Sequence, residues 1–174
     1  MASTEVAVIG TGWCGGIRAE SLAKSALVDA LHICEIRPER LEEVRTLTNP
    51  KTATLDYQDI VRNPAITVVY ISTTPEGTHY PIARDCLKAG KHVLLEKPIA
   101  LELWEADELI ALCDKAADTK RWAILTFHGV DEGTMSVAKS ELQSLIDYLK
   151  ANTERLWTAP VATVAEAIRK YQAS

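Results

Sequence analysis

The sequence lacks the features that mark several large classes of protein. It has no excess of positive charge, because 24 acidic residues outnumber 19 basic ones and leave a net charge of −5. That balance argues against a nucleic-acid interface or an anionic membrane surface. No apolar run approaches the roughly 18 residues that a membrane-spanning helix needs. The first residues, MASTEVAVIG, lack the pattern of a secretion signal. We therefore expect a cytoplasmic protein without nucleic-acid or membrane partners.

Cysteine is scarce and scattered, with none of the CxxC or CxH spacings of metal sites. The four cysteines are Cys14, Cys34, Cys86 and Cys113. In a cytoplasmic protein such residues are normally reduced thiols in or near the core, so we expect neither a metal site nor a disulfide framework. The hydrophobic share of 47% and the charged share of 25% are typical of a globular protein, and 174 residues allow one good core.

Short apolar runs with strand character alternate with segments of helical periodicity. The runs are EVAVIG, ALHICEI, TATLD, AITVVYIST, KHVLLEK and RWAILTF. The strongest is AITVVYIST at residues 65–73, which is continuous and β-branched, as in a strand buried on both faces of a parallel sheet. The alternation with short connections predicts an α/β fold, a doubly wound parallel sheet with helices on both faces.

Three glycines follow the first strand in the spacing GxGxxG, within VIGTGWCGG. Gly10 permits a tight turn, Gly12 lets the backbone approach a pyrophosphate, and Gly15 lets the next helix pack closely on the strand. The helix N-terminus offers N–H groups and a positive dipole end to phosphates. The motif therefore predicts a Rossmann-like dinucleotide site. The other residues of the loop, Thr11, Trp13 and Cys14, are predicted to bind the cofactor as well.

An acidic residue ends the second strand, as a dinucleotide site requires. Glu35 would accept hydrogen bonds from the adenosine ribose hydroxyls, and its charge would repel a 2′-phosphate, which favours NAD. Arg37, two residues further on, could instead clamp that phosphate. The sequence therefore predicts NAD as the cofactor and leaves NADP open.

These motifs resemble the N-terminal domain of the Gfo/Idh/MocA oxidoreductase family over about residues 5–127. The matching stretches are VAVIGTGWCGG, HICEIRPERLEEV and ISTTPEGTHYPIARDCLKAGKHVLLEKPIA. The resemblance implies an NAD(P)-dependent oxidoreductase that transfers a hydride to or from a sugar or polyol hydroxyl. It also implies a substrate of that class as a partner beside the dinucleotide, while homo-oligomerisation stays open.

The resemblance assigns roles to two turns that follow strands. Thr73, Thr74 and Pro75 would lie against the cofactor, and His79 close to it, although helix capping or packing remains an alternative role for this histidine. In the EKP signature, Lys97 would be catalytic, positioning the substrate hydroxyl and assisting proton transfer. Glu96 would orient Lys97 or hold the ribose.

The chain departs from the family after the sixth strand. Family members continue there into a β-rich substrate domain that supplies the catalytic partners of Lys97, and we expect that domain to be absent. Turnover therefore stays open, and a dinucleotide-binding module without catalysis is the alternative function.

The last fifty residues have a different character. FHG, LIDYLKAN and LW follow one another in this segment. With this order, residues 122–171 resemble the C-terminal end of NodB-like polysaccharide deacetylases, which makes a deacetylase remnant a weaker alternative. The metal-binding motifs of that family are missing, and we interpret His128, Asp131 and Glu132 as solvent-facing rather than as metal ligands. We therefore expect a dinucleotide-binding Rossmann domain at 1–127 and an α/β tail at 128–174, packed on or extending the same sheet. The sheet would have about seven strands, the last formed by LWTAPV.

Overall fold

A computed structural model of the protein describes residues 4–97, 123–125 and 139–160 and the single positions 111, 163, 166, 167 and 170. The strands in this part of the chain are β1 (Glu5–Ile9), β2 (Ala30–Cys34), β3 (Thr52–Thr54), β4 (Ile66–Ile71), β5 (His92–Leu95) and β6 (Ala123–Leu125). The helices are α1 (Trp13–Ala23), α2 (Pro38–Thr48), α3 (Tyr57–Arg62), α4 (His79–Lys88) and α5 (Lys139–Ala151), with a 3-10 turn at Glu76–Thr78.

The strands form one parallel sheet. Five of them follow the order β3-β2-β1-β4-β5, and the short strand β6 pairs with β5. The strand order therefore reverses at β1, since β2 lies on one side of it and β4 on the other. Such a reversal opens a crevice at the carboxyl ends of the strands, where ligands of open α/β sheets bind. The predicted Rossmann-like α/β fold is confirmed.

The predicted seventh strand is wrong over its described positions. Residues 156–160 of LWTAPV form no strand, and they follow a turn in which the Arg155 backbone N–H donates to the Asn152 carbonyl. Pro160 opposes pairing here because it has no N–H to donate to a neighbouring strand. The segment also lacks burial to favour a strand, since Trp157 is 62% exposed. How the tail at 128–174 relates to the sheet stays a prediction.

The core has two layers because successive side chains of a strand point to opposite faces of the sheet. In β1, Val8 packs with Ile33 and Tyr70 on the face that α1 and α2 cover. Its neighbour Ile9 packs with Ile71 on the face that α4 covers. Burial on both faces explains why these strands read as continuous apolar runs.

The register of the sheet aligns the ends of its central strands. The last paired residues are level with one another: Ile9, Cys34, Ile71 and Leu95. The residues that follow them leave the sheet along one edge: Gly10, Glu35, Ser72 and Glu96. Residues predicted from separate motifs therefore meet at the carboxyl edge of the sheet.

The described cysteines are free thiols. Cys34 and Cys86 are buried, and burial raises the pKa of each to about 12, so both stay protonated at neutral pH. Cys14 is partly exposed, and Cys113 lies outside the described residues. In the part of the chain that the structure describes, no helix has the length and apolar character needed to span a membrane.

Candidate dinucleotide-binding site

The three glycines of the loop have different structural reasons to be glycine. Gly10 has a φ of +83°, and a Cβ there would lie 2.6 Å from the Ser72 carbonyl oxygen. At Gly15, a Cβ would overlap the carbonyl oxygen of Gly10. At Gly12, by contrast, a Cβ would meet nothing within 4 Å. The protein itself therefore requires glycine at the first and third positions, while the second borders open space in which a ligand could approach the backbone.

The first turn of α1 suits an anion. Gly12 is the N-cap, so no side chain caps the helix, and the first turn contains no acidic residue. The leading N–H groups of a helix have no partner within it and carry a positive dipole end. Together with the open side of Gly12, this arrangement fits a pyrophosphate. Thr11 is buried, Cys14 is partly exposed, and the Trp13 side chain is 85% exposed beside the loop.

Glu35 lies where the sequence predicts it, but its carboxylate is already fully engaged. It is 5% exposed. Its Oε2 accepts from the Thr11 backbone N–H at 3.0 Å and from the Thr11 hydroxyl at 3.2 Å. Its Oε1 accepts from the Arg37 N–H at 3.2 Å and from Arg37 Nε at 3.0 Å. These bonds use the roughly four acceptor positions of a carboxylate.

These contacts determine the direction in which the pKa values of Glu35 and Arg37 are shifted. Burial alone would raise the pKa of the Glu35 carboxyl, but hydrogen bonds from Arg37 and Thr11 outweigh burial and lower it. The hydrogen bond to Glu35 also raises the pKa of Arg37, so both groups are charged at neutral pH. The Arg37 side chain is 59% exposed, and its guanidinium extends from Glu35 toward solvent.

Arg40 is a residue that the sequence reasoning missed. Its Nε donates to the Thr11 carbonyl at 2.7 Å and its Nη2 to the Gly12 carbonyl at 3.3 Å. A Cβ at Gly16 would overlap this guanidinium, so the fourth glycine of the loop makes room for it. No motif marks Arg40. The one available signal is that α2 begins close after β2 and therefore carries its first turn past the glycine loop.

Hydrogen bonds from His79 and Thr78 to Thr73 hold the turn after β4. His79 is 2% exposed, and its Nε2 donates to the Thr73 carbonyl at 2.9 Å, since a carbonyl can only accept. The Thr78 hydroxyl lies 2.6 Å from the Thr73 hydroxyl. Thr74 and Pro75 are exposed and are joined by a cis peptide bond. In this geometry His79 supports the turn, and Thr74 and Pro75 are exposed to solvent.

The turn after β5 is tied to the glycine loop. The Tyr70 hydroxyl donates to Glu96 Oε1 at 2.6 Å, and the Cys14 thiol donates to the same oxygen at 3.5 Å. Glu96 Oε2 accepts from the Lys97 backbone N–H at 3.3 Å. Burial alone would raise the pKa of Glu96, but these hydrogen bonds, led by that of Tyr70, lower it. Tyr70 is the second residue that the sequence reasoning missed, because its aromatic ring reads as strand core.

The candidate residues form a row along the carboxyl edge. Glu35 and Arg37 lie at the β2 end, the glycine loop follows at β1, and the turns after β4 and β5 continue the row to Lys97. A cavity of about 320 Å³ lies at the opposite edge, near Asp29, Thr48 and Lys51. Ligands of parallel sheets bind at carboxyl ends, so we assign the site to the row and not to this cavity.

Metal-ligating groups do not cluster among the residues that the structure describes, since no three or more His, Cys, Asp or Glu side chains come together there. The sequence's own metal-like group, His128, Asp131 and Glu132, lies outside the described residues. Its interpretation as solvent-facing stays a prediction.

The fold and the glycine loop together define an NAD(P)-binding Rossmann domain. A profile of the oxidoreductase family with an NAD-binding Rossmann fold, GFO_IDH_MocA, matches residues 4–121. The chain belongs to this family. The match ends at residue 121 and gives no support to the deacetylase resemblance of the tail, which stays a prediction.

Relatives of known name agree with the family. The chain is 32% identical to scyllo-inositol 2-dehydrogenase (NADP(+)) IolW of Bacillus subtilis, over 71% of this chain and 33% of that protein. It is 30% identical to myo-inositol 2-dehydrogenase of Thermotoga maritima, over 71% of this chain and 35% of that protein. The chain thus spans about a third of the length of these curated relatives.

The same fold occurs in a solved structure. The crystal structure of scyllo-inositol dehydrogenase from Lactobacillus casei, with bound NAD(H) and scyllo-inositol, superposes with a TM-score of 0.65. The superposition covers 85% of this chain and 42% of that chain at 23% identity, and it shows the shared fold alone.

Proposed function

We propose that the chain is the cofactor-binding part of an NAD(P)-dependent oxidoreductase that acts on a sugar or polyol hydroxyl by hydride transfer. The observation that carries the proposal is the open Gly12 position at the uncapped N-terminus of α1, in line with Glu35 and Lys97 along one edge of the sheet. The inositol dehydrogenases among its relatives support the substrate class, because inositols are polyols.

The order of these residues along the edge of the sheet indicates how the bound cofactor would be oriented. The adenosine would lie at the β2 end beside Glu35 and Arg37, and the pyrophosphate would lie on the glycine loop and the first turn of α1. The nicotinamide would then lie at the turns after β4 and β5, near Thr74, Pro75 and Lys97. A bound nicotinamide supplies or accepts the hydride. The chain's own residues bind it, orient it and keep Lys97 beside the reacting hydroxyl.

The Lys97→Ala variant distinguishes the two candidate functions, an enzyme and a dinucleotide-binding module without catalysis. We expect Lys97→Ala to keep NADH binding within about threefold and to lower inositol-dependent reduction of NAD(P)⁺ by about 10²–10⁴-fold, the usual contribution of a positioned acid or base. The measurement pairs cofactor titration by fluorescence with absorbance at the reduced nicotinamide band. Binding without any reduction by the unmodified chain would favour the second candidate, a dinucleotide-binding module without catalysis.

The NAD or NADP preference depends on Glu35 and Arg37. The charge of Glu35 favours NAD, as the sequence predicts, but its acceptor positions are occupied in the free domain. To receive a ribose hydroxyl, Glu35 must release Arg37. The exposed guanidinium of Arg37 suits a 2′-phosphate without that rearrangement. We therefore propose that the domain accepts NAD and also binds NADP through Arg37.

Arg37→Ala tests this assignment. We expect the variant to bind NADPH about tenfold more weakly, which corresponds to about 1.4 kcal/mol. NADH should bind equally well or slightly better, because Glu35 Oε1 then keeps only the backbone N–H of residue 37 and gains one open acceptor position. Titration with each reduced cofactor, followed through nicotinamide fluorescence, gives both constants. Arg45→Ala is the matched control, because it also removes an arginine paired to a glutamate, Glu42, but on the exposed side of α2. An equal loss for both cofactors would contradict the assignment.

A further inference from the structure

Tyr70 combines a buried aromatic ring with a hydroxyl group that forms hydrogen bonds at the site. It stands in β4, ITVVYI, and its ring is 5% exposed in the core layer under α1. Its hydroxyl lies at the edge of that layer, 2.6 Å from Glu96 Oε1 and 3.3 Å from Cys14 Sγ. A phenylalanine would fill the same space in the core. The role of the hydroxyl is therefore in its contacts with Glu96 and Cys14 and not in filling the core.

The contacts at that tip join three parts of the site. Cys14 belongs to the first turn of α1 on the glycine loop, Tyr70 to β4, and Glu96 to the turn after β5. Glu96 in turn accepts from the backbone N–H of Lys97, the proposed catalytic residue. The short hydroxyl-to-carboxylate bond is of the charge-assisted kind, which is the strongest of these contacts. Arg18, on the next turn of α1, interacts with the same hydroxyl.

The Tyr70 hydroxyl stays a donor across the physiological pH range. Burial raises its pKa well above the ordinary value of 10, and the contacts with Cys14 and Glu96 raise it further. The Glu96 carboxyl has a lowered pKa and is ionised at neutral pH. In this hydrogen bond the Tyr70 hydroxyl is therefore the donor and the Glu96 carboxylate the acceptor throughout that pH range.

We propose that Tyr70 is a positioning residue, whose hydrogen bond to Glu96 holds the Lys97 turn in register with the glycine loop and so shapes the nicotinamide end of the site. This inference rests on the proposed function, because it presupposes that a dinucleotide lies along the row. It predicts an effect confined to the half of the cofactor that lies beyond the pyrophosphate.

Tyr70→Phe tests the proposal against two ligands. One is whichever of NADH and NADPH binds the unmodified chain more tightly, and the other is the same molecule without nicotinamide, ADP-ribose or its 2′-phosphate. We expect the variant to bind the whole cofactor five- to tenfold more weakly and the fragment less than twofold more weakly. Tyr57→Phe is the matched control. It also removes a tyrosine-to-carboxylate bond, to Asp85 Oδ2 at 2.9 Å between α3 and α4, and it should change neither constant.

A double-variant cycle separates positioning from general loosening of the fold. If Tyr70 acts through Glu96, then Glu96→Gln should also weaken the whole cofactor selectively. The double variant should then lose little more than the worse single variant. Glu96→Gln also tests the idea alone if Tyr70→Phe fails to fold. Equal loss for cofactor and fragment, losses that multiply in the double variant, or no loss would overturn the proposal. An unmodified chain that binds neither cofactor would instead overturn the proposed function, and this inference with it.

Discussion

Gly12→Ala is expected to fold like the unmodified chain and to bind NADH or NADPH ten- to a hundredfold more weakly, a loss of about 1.4–2.8 kcal/mol. The added methyl group would meet no protein atom within 4 Å. It would instead occupy the space that we propose for the pyrophosphate, beside the uncapped N-terminus of α1. The folding cost should stay below about 1 kcal/mol, the typical difference between a good N-cap and alanine.

Two measurements on the same preparation check this expectation. Urea denaturation gives the free energy of unfolding, and calorimetric titration gives the affinity for each reduced cofactor. Leu27→Ala is a useful control, because it shortens an exposed side chain just before β2, outside the glycine loop, and should change neither quantity appreciably. Undiminished cofactor binding by the alanine variant at Gly12 would show that no ligand approaches the loop at this point.

Gly15→Ala, in contrast to Gly12→Ala, is expected to destabilise the fold. We expect a loss of about 3 kcal/mol in the free energy of unfolding, as for an overpacked core. In an ordinary helix the change from glycine to alanine gains up to about 1 kcal/mol. Here the sign reverses because the Cβ would overlap the backbone carbonyl oxygen of Gly10, which no side-chain rotation can relieve. Helix α1 must then move away from β1.

Gly16→Ala supplies the control for this result in the next position of the same helix. Its Cβ would meet the guanidinium of Arg40, the end of a flexible side chain that can move aside. We expect its urea midpoint to fall much less than that of the alanine variant at Gly15. Equal midpoints for both variants and the unmodified chain would contradict the close packing of α1 on β1.

The parts of the site that the sequence predicted are those encoded by local motifs. The GxGxxG spacing, the strand-ending Glu35 and the EKP turn each lie within a few residues of a strand end, and parallel pairing brings strand ends to one edge. Tyr70 and Arg40 escaped prediction because their hydrogen bonds reach residues 26 and 29 positions away along the chain. The hydrogen bonds from Thr11 to Glu35 span 24 residues of the chain and are likewise a tertiary feature, invisible to a pattern of residue types.

The error at LWTAPV has a different origin. Its apolar residues favour a strand by composition, but strand pairing also needs donors and a partner edge. Pro160 removes one donor, and Trp157 is exposed. Patterns within a short segment therefore predicted the central sheet well, because burial on both faces dominates there, and failed where a marginal segment depends on its surroundings.

Mapping backbone amide NMR shifts during titration with NADH and NADPH shows directly whether a dinucleotide binds along the carboxyl edge of the sheet. If it does, saturable shifts should occur along the row at Gly12, Cys14, Glu35, Thr73 and Lys97, with little change at the opposite edge around Asp29 and Lys51. Shifts concentrated at that opposite edge, or no saturable shift with either cofactor, would rule out this binding mode.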